Sequence, residues 1–180
     1  MKTFRKKGFI SSLSLMIFLA GGCLPARVFI STPEIQNVEN DYFIAQLEPL
    51  SQANNYFDRF RLAVTNKTSQ ELKIDWNQTR YLYHGRDGGV FVFEGIAAED
   101  IKNETIPPGI IPAGQTFTKE IGPLELVARG PLGGRGADSG KITFGIIPSG
   151  DSGLLLVVRQ NGKTLEEKIM VKISQREVPK

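Results

Sequence analysis

The apolar residues of this chain recur with a period of two, and that rhythm constrains the fold more than any other feature of the sequence. Phe60, Leu62 and Val64 alternate with Arg59, Arg61 and Ala63. Beyond the polar turn Asn66-Lys67-Thr68-Ser69, Leu72, Ile74 and Trp76 alternate with Lys73, Asp75 and Asn77. Successive side chains of an extended chain point to opposite faces, so this pattern marks strands with one face buried and one wet. The two segments read as an antiparallel hairpin. Residues 80–84 and 90–94 read as a second hairpin, turning through Gly85-Arg86-Asp87-Gly88-Gly89.

The second half keeps the same habit. Pro107-Pro108-Gly109 and Pro112-Ala113-Gly114 punctuate a loop, after which Phe117, Lys119 and Ile121 continue a strand that Gly122-Pro123 stops. Residues 124–128 suit a strand or an edge turn, and the glycine-rich run 129–140 reads as a mobile loop. Further strands are expected over 141–147, 154–160 and 164–174. The last two meet at Asn161-Gly162, a dipeptide that accepts positive φ at both positions of a tight hairpin turn. No stretch beyond the first twenty residues sustains a helical apolar face for three turns; 96–103 suits one turn or two. About eight short strands separated by turn signals predict an all-β chain, an antiparallel β-sandwich of Ig-like architecture over residues 41–176. Residues 23–40 carry Pro25, Pro33 and a polar run from Glu34 to Asn40, and read as a flexible tether.

The start of the chain is a different kind of segment. Lys2, Arg5, Lys6 and Lys7 precede an uncharged run from Phe9 to Ala20, followed by Gly21, Gly22 and Cys23. Twelve uncharged residues are too few to cross a hydrocarbon core about 30 Å thick, and the three-part arrangement is that of a cleaved secretory signal covering 1–22. The junction Leu19-Ala20-Gly21-Gly22-Cys23 resembles the lipobox of bacterial lipoproteins, although leucine stands four rather than three residues before the cysteine. That resemblance implies cleavage before Cys23, acylation of its sulfur and attachment to the bacterial cell envelope. Leu24, in place of the aspartate that signals inner-membrane retention in enteric Gram-negative lipoproteins, favours the outer membrane there. Anchoring of this kind gains about 0.8 kcal/mol per buried methylene, so several chains hold a protein stably.

Removing the leader changes the charge balance. The chain has 22 basic and 19 acidic residues, and the leader takes four of the basic ones, so the mature chain is 18 − 19 = −1. No clustered basic footprint for nucleic acid is expected. Cys23 is the sole cysteine, so no internal disulfide is possible and the core alone must hold the fold. A domain of about 150 residues buries roughly 68–70% of its unfolded surface, enough for one self-sufficient unit.

Several fragments imitate chemistry. Gly150-Asp151-Ser152-Gly153 matches the tetrapeptide around the nucleophile of trypsin-like proteases, with His84 and Asp100 before it in the order of that family. His84 lacks the surrounding Ala-Ala-His-Cys, Leu154 replaces the following glycine, and the mature chain is too short for two six-stranded barrels. The tetrapeptide is therefore read as a tight turn and no catalytic residue is assigned. Gly134 to Lys141 is one residue too long for a P-loop and precedes a strand instead of a helix, which leaves no amide cluster for phosphate. One histidine and one acylated cysteine cannot form a tetrahedral metal site, and neither Glu99-Asp100 nor Glu166-Glu167 has the spacing of a calcium loop. No cofactor is expected.

One feature points to a partner. With the second hairpin paired symmetrically about Asp87, Tyr81 faces Phe93 and Tyr83 faces Phe91 on one side, while Leu82 faces Val92 on the other. A hairpin apolar on both faces is covered twice within its domain, or once with the other face offered outward. Tyr81, Tyr83, Phe91 and Phe93 are thus candidate partner-binding residues, with Phe91 and Phe93 inclined to the core and the two tyrosines to partial exposure. Two functions follow: a membrane-anchored, non-enzymatic module that binds an unidentified protein, or a small ligand-binding or hydrolytic lipoprotein with a site near His84 and loop 129–140.

Overall fold

The computed structural model describes residues 27–51, 56–127 and 144–177. The leader, Cys23 and the glycine-rich run 129–140 lie outside the described residues. Eleven strands follow one another: β1 (Arg27–Thr32), β2 (Gln36–Glu39), β3 (Phe43–Ser51), β4 (Phe57–Asn66), β5 (Leu72–Ile74), β6 (Arg80–Tyr83), β7 (Arg86–Val92), β8 (Gly109–Ile111), β9 (Thr116–Pro123), β10 (Gly150–Gln160) and β11 (Lys163–Glu177). A short helix, α1 (Ala98–Asn103), lies between β7 and β8, and a single 3-10 turn, Leu124–Leu126, follows β9.

All pairings are antiparallel. The sheet runs β1-β11-β10-β6-β7-β9-β4-β3-β2, with β5 pairing β10 and β8 off this path. It curls into a half-barrel. The curl closes on a core of alternating residues: Phe43, Ala45 and Leu47 of β3, Phe60, Leu62 and Val64 of β4, Leu154, Leu156 and Val158 of β10, and Ile169, Val171 and Ile173 of β11. The outward positions of β11, among them Glu166, Lys168 and Lys172, are exposed. The all-β expectation is met, and Asn161-Gly162 joins β10 to β11 with φ of 50° and 77°, as a tight hairpin turn requires.

The tether reading fails from Arg27 onward. β1 pairs with β11 from Arg27↔Glu177 to Thr32↔Lys172, and β2 pairs with β3 from Gln36↔Leu47 to Glu39↔Ile44. A strand that is short, or that changes partner midway, gives a weak periodic signal, and the break at Thr32-Pro33 splits this one into two pieces that join opposite ends of the sheet. The two ends also approach one another, since Asn40 Nδ2 donates to Glu167 Oε1 at 2.9 Å and Lys163 Nζ to the Tyr42 hydroxyl at 2.6 Å.

The first expected hairpin is not one. β4 pairs with β3 and β9, whereas β5 pairs with β10 and β8, so the connection between them crosses from one side of the curl to the other. Asn66 makes that corner. It is 1% exposed, its amide donates to the carbonyls of Gln70, Ile111 and Pro112, and its Oδ1 accepts from the Thr68 N–H and hydroxyl. Local alternation does not reveal partner choice, because both arrangements bury the same face.

The second hairpin forms with a different turn. His84 and Gly85, with φ of 50° and 74°, make a two-residue turn, so Tyr83 pairs with Arg86 and Leu82 with Asp87. Both positions need positive φ, which glycine adopts freely and histidine more readily than most residues. The ladder then slips by one before Arg80↔Val90, and Gly89, with φ of 88°, lies in that bulge. Gly150-Asp151-Ser152-Gly153 is likewise not a turn: it opens β10, paired with both β11 and β6. Of the strand expected at 141–147, the described residues show only the bridge Val127↔Phe144.

Candidate functional site

The four aromatic residues of the hairpin share a face, and that face is turned into the curl. Tyr81 and Phe91 are 0% exposed, and Phe60 of the opposite wall meets both rings at 6.4 Å. Tyr81 and Phe91 meet edge to face at 6.0 Å. Phe91 thus lies in the core as its apolar ring suggests, whereas the partial exposure expected of Tyr81 is corrected, and neither ring is open to a partner because β4 already covers both. Tyr83 is half-buried, its hydroxyl donating to the Ser149 carbonyl at 2.9 Å and its ring lying 4.3 Å from that of His84. Phe93, also half-buried, packs 5.0 Å from Trp76 beneath Lys119 Nζ. The other face is covered as well: Val92 pairs with Gly122, where any side chain would collide with the Phe144 ring.

Ser152 is buried inside the barrel, and its hydroxyl shares a hydrogen bond of 3.2 Å with that of Tyr81. His84 is exposed at its turn and meets β10 through the backbone, donating its N–H to the Asp151 carbonyl at 2.8 Å. Asp100 sits in α1 and accepts from the Thr105 hydroxyl at 3.3 Å. Ser152 is thus partnered by a phenol, and that phenol is itself unreactive: burial, opposed by the Ser152 hydrogen bond, pushes Tyr81 up to about 12. The pair links the neighbouring strands β6 and β10 on their inward face. Among the described residues no group of three or more His, Cys, Asp or Glu is placed to hold a metal ion.

The most distinctive polar feature lies elsewhere, at the end of the barrel where β3 leaves its partner. β2 stops pairing at Leu47, so Glu48 to Ser51 continue beside β4 alone. The Asn40 N–H donates to the Phe43 carbonyl and the Lys67 N–H to that of Tyr42, so odd-numbered residues of β3 direct their backbone groups towards the β2 side. Pro49 therefore puts its donorless nitrogen on the open edge, which blunts that edge against further strand addition. Opposite, the register passes from Leu50↔Arg59 to Ser51↔Phe57 and leaves Asp58 as an extra residue. A bulge of this kind re-aims a side chain, and here it brings Asp58 round to the Arg59 guanidinium at 3.0 and 3.1 Å.

From Asp58 a chain of charges crosses the sheet. Arg59 Nε donates to Glu120 at 2.8 Å, Arg61 lies 3.7 Å from Glu120, and Arg61 donates to Glu48 at 2.8 Å. Asp58 is 3% exposed; burial raises its pKa despite the opposing pull of Arg59. Beside Glu48 opens a groove of about 470 Å³, with Phe29, Leu50 and Phe57 as its apolar wall and Ser31, Glu34 and Glu48 as polar groups. Half apolar and open, it suits an extended segment or an amphiphile better than an enclosed small molecule. The sequence carried one signal of this site: Asp58 falls in phase with Phe60 and Leu62, a charge at an inward position of a strand. Comparison with protein-family models, curated proteins and solved structures yielded no match.

Proposed function

We propose that this protein is a membrane-anchored bacterial envelope lipoprotein, held by acyl chains on Cys23, that acts as a non-enzymatic protein-binding or structural module. The observation that carries the reading is the leader: a basic start, a short apolar run and a Gly-Gly-Cys junction, placed four residues ahead of the first strand at Arg27. Every described strand then belongs to the mature chain. In finer detail, the two walls of the curled sheet are read as the layers of an Ig-like β-sandwich, supported by the contacts of Phe60 with Tyr81 and Phe91 across the core. The partner is taken to be a protein, with no nucleic acid and no cofactor, and in a Gram-negative cell the outer membrane is favoured because Leu24 follows Cys23.

The groove between β1 and the open stretch of β3 is the surface proposed for a partner, and it replaces the aromatic face of the hairpin in that role. The alternative, a ligand-binding or hydrolytic site near His84 and loop 129–140, loses support from the burial of Ser152 against Tyr81. Fractionation of cells carrying Cys23→Ser tests the reading. The variant is expected in the soluble envelope fraction while the unaltered protein pellets with membranes; equal membrane association of the two refutes it.

A further inference from the structure

Only residues 24–26 separate Cys23 from β1, which begins at Arg27. Four steps of at most about 3.6 Å confine the two Cα atoms to within ~14 Å of each other, whatever path the chain takes. Arg27 in turn pairs with Glu177 at the far end of β11, and an exposed ion pair of 3.5 Å joins their side chains. The pairing of β10 with β11 stops at Gly150↔Ile173, so Arg27 to Ile30 and Ser174 to Glu177 extend past β10 as a two-stranded ribbon. At ~3.3 Å per residue this ribbon projects about 13 Å. Across the groove from it stand Leu50, Ser51 and Phe57, so ribbon and groove occupy one end of the barrel. The turn at Asn161-Gly162 marks the other end of β11.

We propose that the ribbon end is the docking surface of this protein for the phospholipid headgroups of its own membrane, with the Asn161-Gly162 end directed away from the bilayer. The inference rests on acylation of Cys23 and adds what that reading lacks, an orientation. A long tether would leave the domain free to tumble above the membrane, whereas a leash of ~14 Å holds the Arg27–Glu177 pair at the interface. On the outer face of β11, Lys168, Lys172 and Arg176 are exposed and lie on the ribbon side of Glu166, so the basic character of that face increases towards the end placed at the headgroups. The groove with Phe29, Leu50 and Phe57 then opens beside the headgroups, and a partner reaching it must approach at the membrane surface.

Two exposed positions on β11 test this orientation, Gln175 within the ribbon and Thr164 beside the turn. Eleven residues of strand put them about 36 Å apart. Lipidated protein carrying Gln175→Cys or Thr164→Cys is labelled with a fluorophore and reconstituted into phosphatidylethanolamine–phosphatidylglycerol vesicles that contain a headgroup-linked quencher. The expected result is quenching several-fold stronger at 175 than at 164, with the difference collapsing when a flexible insert of about fifteen residues follows Leu24 and lengthens the leash. Equal quenching at both positions in protein that floats with the vesicles overturns the orientation alone. Failure of the protein to float, with no acyl chain on Cys23 by mass, overturns the anchor and the orientation together.

Discussion

The hydroxyl pair in the core gives the most quantitative test of the fold. Tyr81→Phe keeps the ring, and with it the contacts to Phe60 at 6.4 Å and Phe91 at 6.0 Å, so it opens no cavity. It removes one partner of the 3.2 Å hydrogen bond and leaves the Ser152 hydroxyl at a site with 0% exposure. A net hydrogen bond contributes about 1 kcal/mol and a stranded buried hydroxyl costs about 1–3 kcal/mol, so the variant should lose about 1–3 kcal/mol. Ser152→Ala should lose a similar amount. In the double variant the second removal finds its partner already gone, and the coupling between the two sites should be about 1–2 kcal/mol. Urea unfolding with unchanged m-values reads all four stabilities. Alkaline titration adds an independent check. The folded phenol sits at about 12 against an ordinary value of 10.0, so its contribution is complete below pH 10 and is lost as pH rises through 12, a loss that Tyr81→Phe should abolish. Additive single costs, or a Tyr81 phenolate that forms at its ordinary pH in the folded protein, would refute the buried pair.

Three further outcomes follow from the geometry. Asp58 is raised above 3.8 by burial, so the folded protein binds its proton more tightly than the unfolded chain does; stability should fall as pH rises through the folded value, and Asp58→Asn should flatten that part of a pH–stability profile. Gly153→Ala should cost about 1–3 kcal/mol in chemical denaturation, because its methyl would overlap the Ile169 carbonyl of the paired strand and neither backbone can yield cheaply. Phe91→Ala should lower stability by about 3–5 kcal/mol, against a much smaller loss for the half-buried Tyr83→Ala; equal melting curves for the two would contradict the placement of Phe91 in the core.

What the sequence disclosed was set by how local each signal is. The inward faces of β4, β10 and β11 and the turn at Asn161-Gly162 depend on neighbouring residues alone, so alternation and one dipeptide reveal them. Partner choice is not local. Nothing around 66–69 says that β4 and β5 lie on different walls; that follows from Asn66 satisfying carbonyls as distant as Ile111 and Pro112. The second hairpin misled because Gly85 to Gly89 looks like a turn, while the fold uses His84-Gly85 for the turn and Gly89 for a bulge. β1 and β2 were hidden by Pro33 and by their short, divided pairing. The groove was invisible for a related reason: it exists because β2 ends early and Asp58 bulges, both of which are properties of register.

The central claim, that the strands of this chain are held at a membrane by a lipid on Cys23, is tested most directly by the intact mass of protein extracted from membranes of a bacterial host. The account predicts a mature chain that begins at Cys23 and carries the added mass of a diacylglycerol, with or without a further acyl chain. A membrane-extracted or soluble chain that begins elsewhere, or that begins at Cys23 with a free thiol, would contradict it.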